Sequence, residues 1–92
     1  MCIRPMPGVR VASVDADGRL ELLAASTAGP ESYRCGPVGT AMWIALRQYD
    51  GDTAAAADLL ARLWGTVPEN ARADLDVWVE EMRDAGLLHA VA

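Results

Sequence analysis

Residues 33–46, YRCGPVGTAMWIAL, place a short run of bulky side chains before a Gly-Pro-Val-Gly break and follow it with an apolar stretch of helical spacing. Proline has no N–H to donate, and its fixed φ suits the first turn of a helix. Gly36-Pro37 therefore marks where an extended segment stops and a helix starts. Upstream, residues 31–35 alternate, with Tyr33 and Cys35 on one face and Ser32 and Arg34 on the other. Downstream, Val38, Met42, Ala45, Leu46 and Tyr49 recur at i, i+4, i+7 and i+8 with Trp43 beside them. This spacing predicts a helix over 37–48 with one face on a core.

Toward the N-terminus the pattern is that of strands. Residues 9–15 are rich in β-branched side chains, Asp17-Gly18 suits a tight hairpin turn, and 19–25 carry Leu20 and Leu22 on one face. Alternation in the first of these strands is imperfect, because Val9 and Val11 share one side while Ala12 and Val14 take the other. Partial cover on both faces is expected there. Residues 26–30 read as a loop, and 31–35 as the third strand. Pro5 and Pro7 interrupt residues 1–8, which read as a flexible N-terminal segment preceding a single domain over 9–92.

Toward the C-terminus, Asp50-Gly51 breaks the first helix and Thr53 is the expected cap of a second. The apolar face of that second helix comprises Ala56, Leu59, Leu60, Leu63 and Trp64, and Gly65 stops it. Pro68-Glu69 opens a third helix with a stripe of Leu75, Trp78, Val79 and Met82, ended by Gly86 before Leu87-Leu88. The order is βββααα, an α+β fold with a three-stranded antiparallel sheet followed by three helices.

With 52% hydrophobic and 23% charged residues the chain is too apolar for a disordered one, and no apolar run reaches the roughly 20 residues that cross a bilayer. The first ten residues, MCIRPMPGVR, hold no continuous apolar stretch of signal-peptide length. A cytoplasmic protein without a membrane partner is expected. The net charge is −5, with eight arginines and no lysine. Phosphate backbones repel such a chain, so a nucleic-acid partner is disfavoured and a basic or neutral partner fits better.

The side chains that chemistry needs are sparse. Cys2 and Cys35 form no CxxC pair, and with the single His89 they fall short of a four-ligand zinc site, so no metal is expected. GPVGTA lacks the lysine of a phosphate loop, and no cofactor is implied. None of Ser13, Ser26 and Ser32 sits in GxSxG. Cys35 beside Arg34 suits either a nucleophile or, more simply, a small buried apolar residue. What remains is a binding module rather than an enzyme. A three-stranded sheet has edges, and the edge of the third strand can receive an extended peptide.

Taken in order, YRCGPVGTAMWIAL and DGDTAAAADLLARLWGTVPENARADLDVWVEEMRDAGLL resemble the PqqD-like family of small domains that recognise the leaders of ribosomally made, modified peptides. The likeness runs from about Val9 to Leu88 and rests on Gly39, Trp43, Asp74-Leu75, Trp78-Val79, Met82 and Gly86-Leu87-Leu88. Where such proteins usually read Leu-Asn before the first helix, this chain has Cys35-Gly36. The short form with an alanine-rich second helix looks most like the leader-binding proteins of actinobacterial lasso-peptide pathways.

The resemblance implies a winged-helix-like domain without catalytic activity. It further implies a precursor leader peptide added beside the third strand, in a groove bounded by the third helix, and delivered to a leader peptidase and a cyclase. The candidate contacts are Ser32, Tyr33, Arg34 and Cys35 on the strand and Asp76, Val77, Glu80 and Arg83 on the helix. Tyr33 suits core or contact, and Val77 suits a contact or a tolerated surface position. Asp76 and Glu80 are expected to select basic leader residues. Two competing readings are a PqqD-type peptide chaperone for a radical enzyme and a winged-helix regulatory or nucleic-acid-binding domain. Against the latter, the most regular helix carries Glu80, Glu81 and Asp84 where exposed arginines would be needed.

Overall fold

The computed structural model describes residues 2–26 and 29–91. Its elements are β1 (Cys2–Pro5), β2 (Val9–Val14), β3 (Leu20–Ser26), β4 (Gly29–Cys35), α1 (Pro37–Gln48), α2 (Thr53–Trp64), α3 (Pro68–Asp84) and β5 (Leu88–Val91). Strands β2, β3 and β4 form an antiparallel sheet in that order, as the sequence predicts. The three helices follow.

The register places Leu20 opposite Cys35 and Leu22 opposite Tyr33, so these four share the face turned to the helices. Leu20, Leu22 and Cys35 are buried there. The uneven alternation in β2 has a different cause from the one expected. Val11 pairs with Leu22 and Ser13 with Glu21, so Ala12 is the extra residue of a bulge. The bulge returns Val14, opposite Leu20, to the core face that Val9 and Val11 share. At the other end of the hairpin, pairing of Ala25 with Pro30 and Ser26 with Gly29 extends both strands into the segment expected as a loop. Proline is tolerated there because β4 is an edge strand. Residues 27–28 lie outside the described ones.

Helix α1 begins where the Gly-Pro break puts it, with Gly36 as cap. Its buried Thr40 ties it to the sheet: the backbone N–H of Leu20 donates to Oγ1 at 3.0 Å, and the hydroxyl reaches the Cys35 carbonyl at 3.5 Å. Val38, expected in the stripe, is 59% exposed, and Thr40, Met42, Trp43, Ala45 and Leu46 are the buried residues instead. The cap of α2 is Asp52 rather than Thr53, because the Asp52 carboxylate accepts from the N–H groups of Ala54 and Ala55. The small side chains of Ala56, Ala57 and Ala61 are buried with Leu60, which lets neighbours approach closely, while Leu63 is left 64% exposed. In α3, Leu75, Val79 and Met82 are core as expected, and Ala71 joins them.

A second sheet was not foreseen. Cys2–Pro5, expected as a loose segment, is a strand paired antiparallel with β5 from Cys2↔Val91 to Pro5↔Leu88. The turn between α1 and α2 holds it in place. Ile3 is buried, its N–H donates to the Gly51 carbonyl at 3.0 Å, and Arg4 grips the Asp50 carboxylate through both terminal nitrogens at 2.9 and 3.0 Å. Gly51 has φ of +87°, and a Cβ there would come within 2.4 Å of the Ile3 carbonyl oxygen. Only glycine meets both conditions.

Candidate functional site

Among the described residues β4 pairs only with β3, so alternate residues of this seven-residue strand present backbone N–H and C=O groups along a free edge. The last residue of this strand, Cys35, approaches α3 across Gly39 of α1. A Cβ added to Gly39 would lie 3.1 Å from Trp78 Nε1 and 3.4 Å from the Cys35 Cβ, so the indole of α3 and the last residue of β4 meet across that glycine. Trp78 itself is half-buried. It marks the side of α3 that is turned toward β4.

Helical geometry places the other residues of α3 around that mark. At about 100° per residue, Asp74 and Glu81 lie roughly 40° and 60° from Trp78 on the side away from the core, and Val77 roughly 100°. Val77 is 62% exposed and forms the outer rim of this flank. Asp76 and Glu80 lie roughly 160° from Trp78, on the far side of the helix. Glu80 and Arg83 line a shallow depression with Met6, Gly86, Leu88 and His89, beside the β1–β5 ribbon.

The predicted residues thus divide into groups. Ser32, Tyr33, Arg34 and Cys35 stand together on the free edge strand, and Val77 rims the flank of α3 that follows Trp78. Asp76, Glu80 and Arg83 are placed elsewhere, and the two carboxylates are engaged by arginines one turn away. Arg72 Nε donates to Asp76 at 3.1 Å, and Arg83 donates to Glu80 at 3.3 Å. Trp78, Gly39, Asp74 and Glu81 belong to this junction without being among the contacts that the sequence predicts. The Gly39–Trp78 contact is long-range, and the only signal for it was a helical glycine facing a tryptophan at the edge of an apolar stripe.

On β4 the two faces differ. Arg34 and Ser32 point away from the core, and Arg34 Nε donates to Glu21 Oε2 at 3.3 Å across the β3–β4 pair. Tyr33, on the core face, is 37% exposed, so its ring is accessible at this edge. Cys35 is buried, and burial pushes its thiol above the ordinary range. A thiol so protected is a packing residue, not a nucleophile. Among the described residues no group of three or more His, Cys, Asp or Glu is arranged to hold a metal ion, and no helix is long and apolar enough to cross a membrane.

The sequence profile of coenzyme PQQ synthesis protein D (PqqD) matches residues 22–88. Among solved structures, TbiB1 in complex with the TbiA(beta) leader peptide is similar, with a TM-score of 0.78 at 21% identity over 100% of this chain and 99% of that one. A lasso peptide synthetase B1 complexed with the leader peptide also has a TM-score of 0.78, at 18% identity, over 98% of this chain and 100% of that one. These two likenesses concern the fold. No curated protein matches the chain significantly.

Proposed function

The chain belongs to the family of coenzyme PQQ synthesis protein D, and from that membership we propose that it captures the leader segment of a ribosomally made precursor in a lasso-peptide pathway. The leader adds as a strand to the free edge of β4, in the groove whose other wall is the Trp78 flank of α3. Backbone hydrogen bonds along Ser32–Cys35 supply affinity, and Tyr33, Trp78 and Val77 supply the apolar surface that fixes register. The observation that carries this reading is the unpaired, regular edge of β4 set against α3 at the Gly39 contact. Two proteins of this fold carry leader peptides in their complexes, which supports the same use here.

The mode asks for no catalytic group. The protein acts by presenting the bound precursor to a leader peptidase and a cyclase, which then meet their substrate at a high effective concentration instead of by free diffusion. We place this exchange in the cytoplasm, where a ribosomal product is first available.

The test is a fluorescence-anisotropy titration with labelled lasso-precursor leaders, the TbiA(beta) leader among them, against scrambled peptides and a DNA duplex. Saturable binding of a leader alone, at about micromolar or tighter, is the expected result and corresponds to roughly 8 kcal/mol. Salt-sensitive binding of the duplex without any leader would replace leader capture by a nucleic-acid role.

A further inference from the structure

The four ion pairs among the described residues use Arg4, Arg34, Arg72 and Arg83, and they neutralise Asp50, Glu21, Asp76 and Glu80. The walls of the groove are treated differently. Asp74 and Glu81, one turn before and roughly one turn after Trp78 on its outer side, are exposed and have no ion-pair partner among the described residues. Glu31, on the same face of β4 as Tyr33, is exposed and has no ion-pair partner among the described residues. The one arginine of β4, Arg34, is on the opposite face and held by Glu21. Arg72 and Arg83 sit roughly 120° and 140° round α3 from Trp78, on the other side of the core stripe. An extended peptide lying between β4 and α3 therefore meets uncompensated negative charge from both walls.

Resting on the leader-capture reading, we propose that the groove selects a leader segment bearing lysine or arginine, read by Asp74 and Glu81 on α3 with Glu31 on β4, and not by Asp76 and Glu80. The two sets differ in what a ligand must displace. A cation approaching Asp76 or Glu80 competes with a guanidinium already tethered on the same helix, whereas Asp74 and Glu81 offer their carboxylates without such competition. Placed beside a half-buried indole and a strand edge, they are also less screened by water than a free surface charge once the peptide lies over them. The peptide is thus held by its backbone and chosen by its charge.

The experiment is a selection of mRNA-displayed random 15-residue peptides on the whole protein at low salt, with wild type, D74N/E81Q and D76N/E80Q in parallel. All four positions are exposed, so each variant is expected to keep the wild-type melting temperature within a few degrees. From wild type, lysine and arginine should be enriched at one or two positions by up to about fivefold, the change that an exposed ion pair supports. The bias should vanish with D74N/E81Q, persist with D76N/E80Q, and fade at about 1 M salt, where the screening length shrinks to roughly 3 Å. Peptides enriched without a basic bias, or with one that D76N/E80Q removes and D74N/E81Q leaves, would overturn the inference while leader capture stands. If no peptide is enriched on any form, the leader-capture reading fails and this inference with it.

Discussion

The two outer strands of the three-stranded sheet are finished in opposite ways. β2 carries a bulge at Ala12, which breaks the ladder and twists the strand, so an incoming chain finds no continuous row of backbone groups. β4 is paired in unbroken register with β3 over seven residues and, among the described residues, is left open on its other side, with α3 approaching its last residue. The ribbon strand β1 is treated as β2 is, in effect, since its outward Ile3 N–H is already taken by the Gly51 carbonyl. An edge is hazardous because it pairs with whatever extended chain arrives. Here the hazard is suppressed at β1 and β2 and kept at β4.

The most severe way to break this contrast is a proline scan through Ser32, Tyr33 and Arg34. Where the replaced N–H points outward, the fold should persist and leader affinity should fall by about a hundredfold, the cost of one or two lost backbone bonds and a steric clash. Where it points to β3, the fold itself should be lost. Proline at an outward position of β2 should leave leader binding unchanged. An equal loss from both strands would show that β4 is not the docking edge.

Next in size is Gly51→Ala, which forces a Cβ to within 2.4 Å of the Ile3 carbonyl oxygen at a positive φ. It should destabilise the protein by about 2–4 kcal/mol in urea melts, through release of β1. Gly39→Leu, by contrast, should cost about 1–3 kcal/mol by overpacking against Trp78 and Cys35, and it should weaken leader binding beyond that loss by displacing the indole. Gly39→Ala places one Cβ at 3.1 Å from a side-chain atom and gains about 0.5–1 kcal/mol of helix propensity, so its stability change should be near zero. Arg4→Ala should be the mildest, under about 1 kcal/mol, because its pair with Asp50 is exposed to solvent.

Cysteine chemistry sharpens the comparison further. Burial raises the Cys35 thiol, so at pH 8 it holds less reactive thiolate than a free cysteine, and alkylation should reach the half-buried Cys2 first. Because the folded-state value lies above the unfolded one, the neutral thiol's contribution to stability is complete at neutral pH and declines as pH rises above the ordinary thiol range. Mass spectrometry of iodoacetamide-treated protein against time checks the order of reaction.

The sheet and helices were legible in the sequence because their punctuation is local. Pro37, Gly65 and Pro68 mark ends that follow from φ alone, and the stripe of Leu75, Val79 and Met82 needs only a period of 3.6. The ribbon was not legible: β1 and β5 are four residues each, β1 contains Pro5, and neither alternates for long enough to separate from a loop. Their existence depends on pairing between residues 83 to 89 apart, the outermost being Cys2↔Val91, and on the fit of Gly51 to Ile3. The orientation of α3 was hidden for the same kind of reason. A helical wheel orders Asp74, Asp76, Glu80 and Glu81 around an axis, but only the Trp78–Gly39 contact says which flank meets β4.

The pairing of Cys2 with Val91 brings the polypeptide into the fold and out of it at neighbouring points of one ribbon. A larger protein could therefore carry this unit inside a surface loop with little added linker, as domains with adjacent ends allow. The same adjacency permits circular permutation. A short bridge from the end of β5 to the start of β1, with new ends cut at the exposed Asp15–Gly18 turn, would leave the β4 edge and its partner helix untouched, so a reordered chain should receive the same peptide.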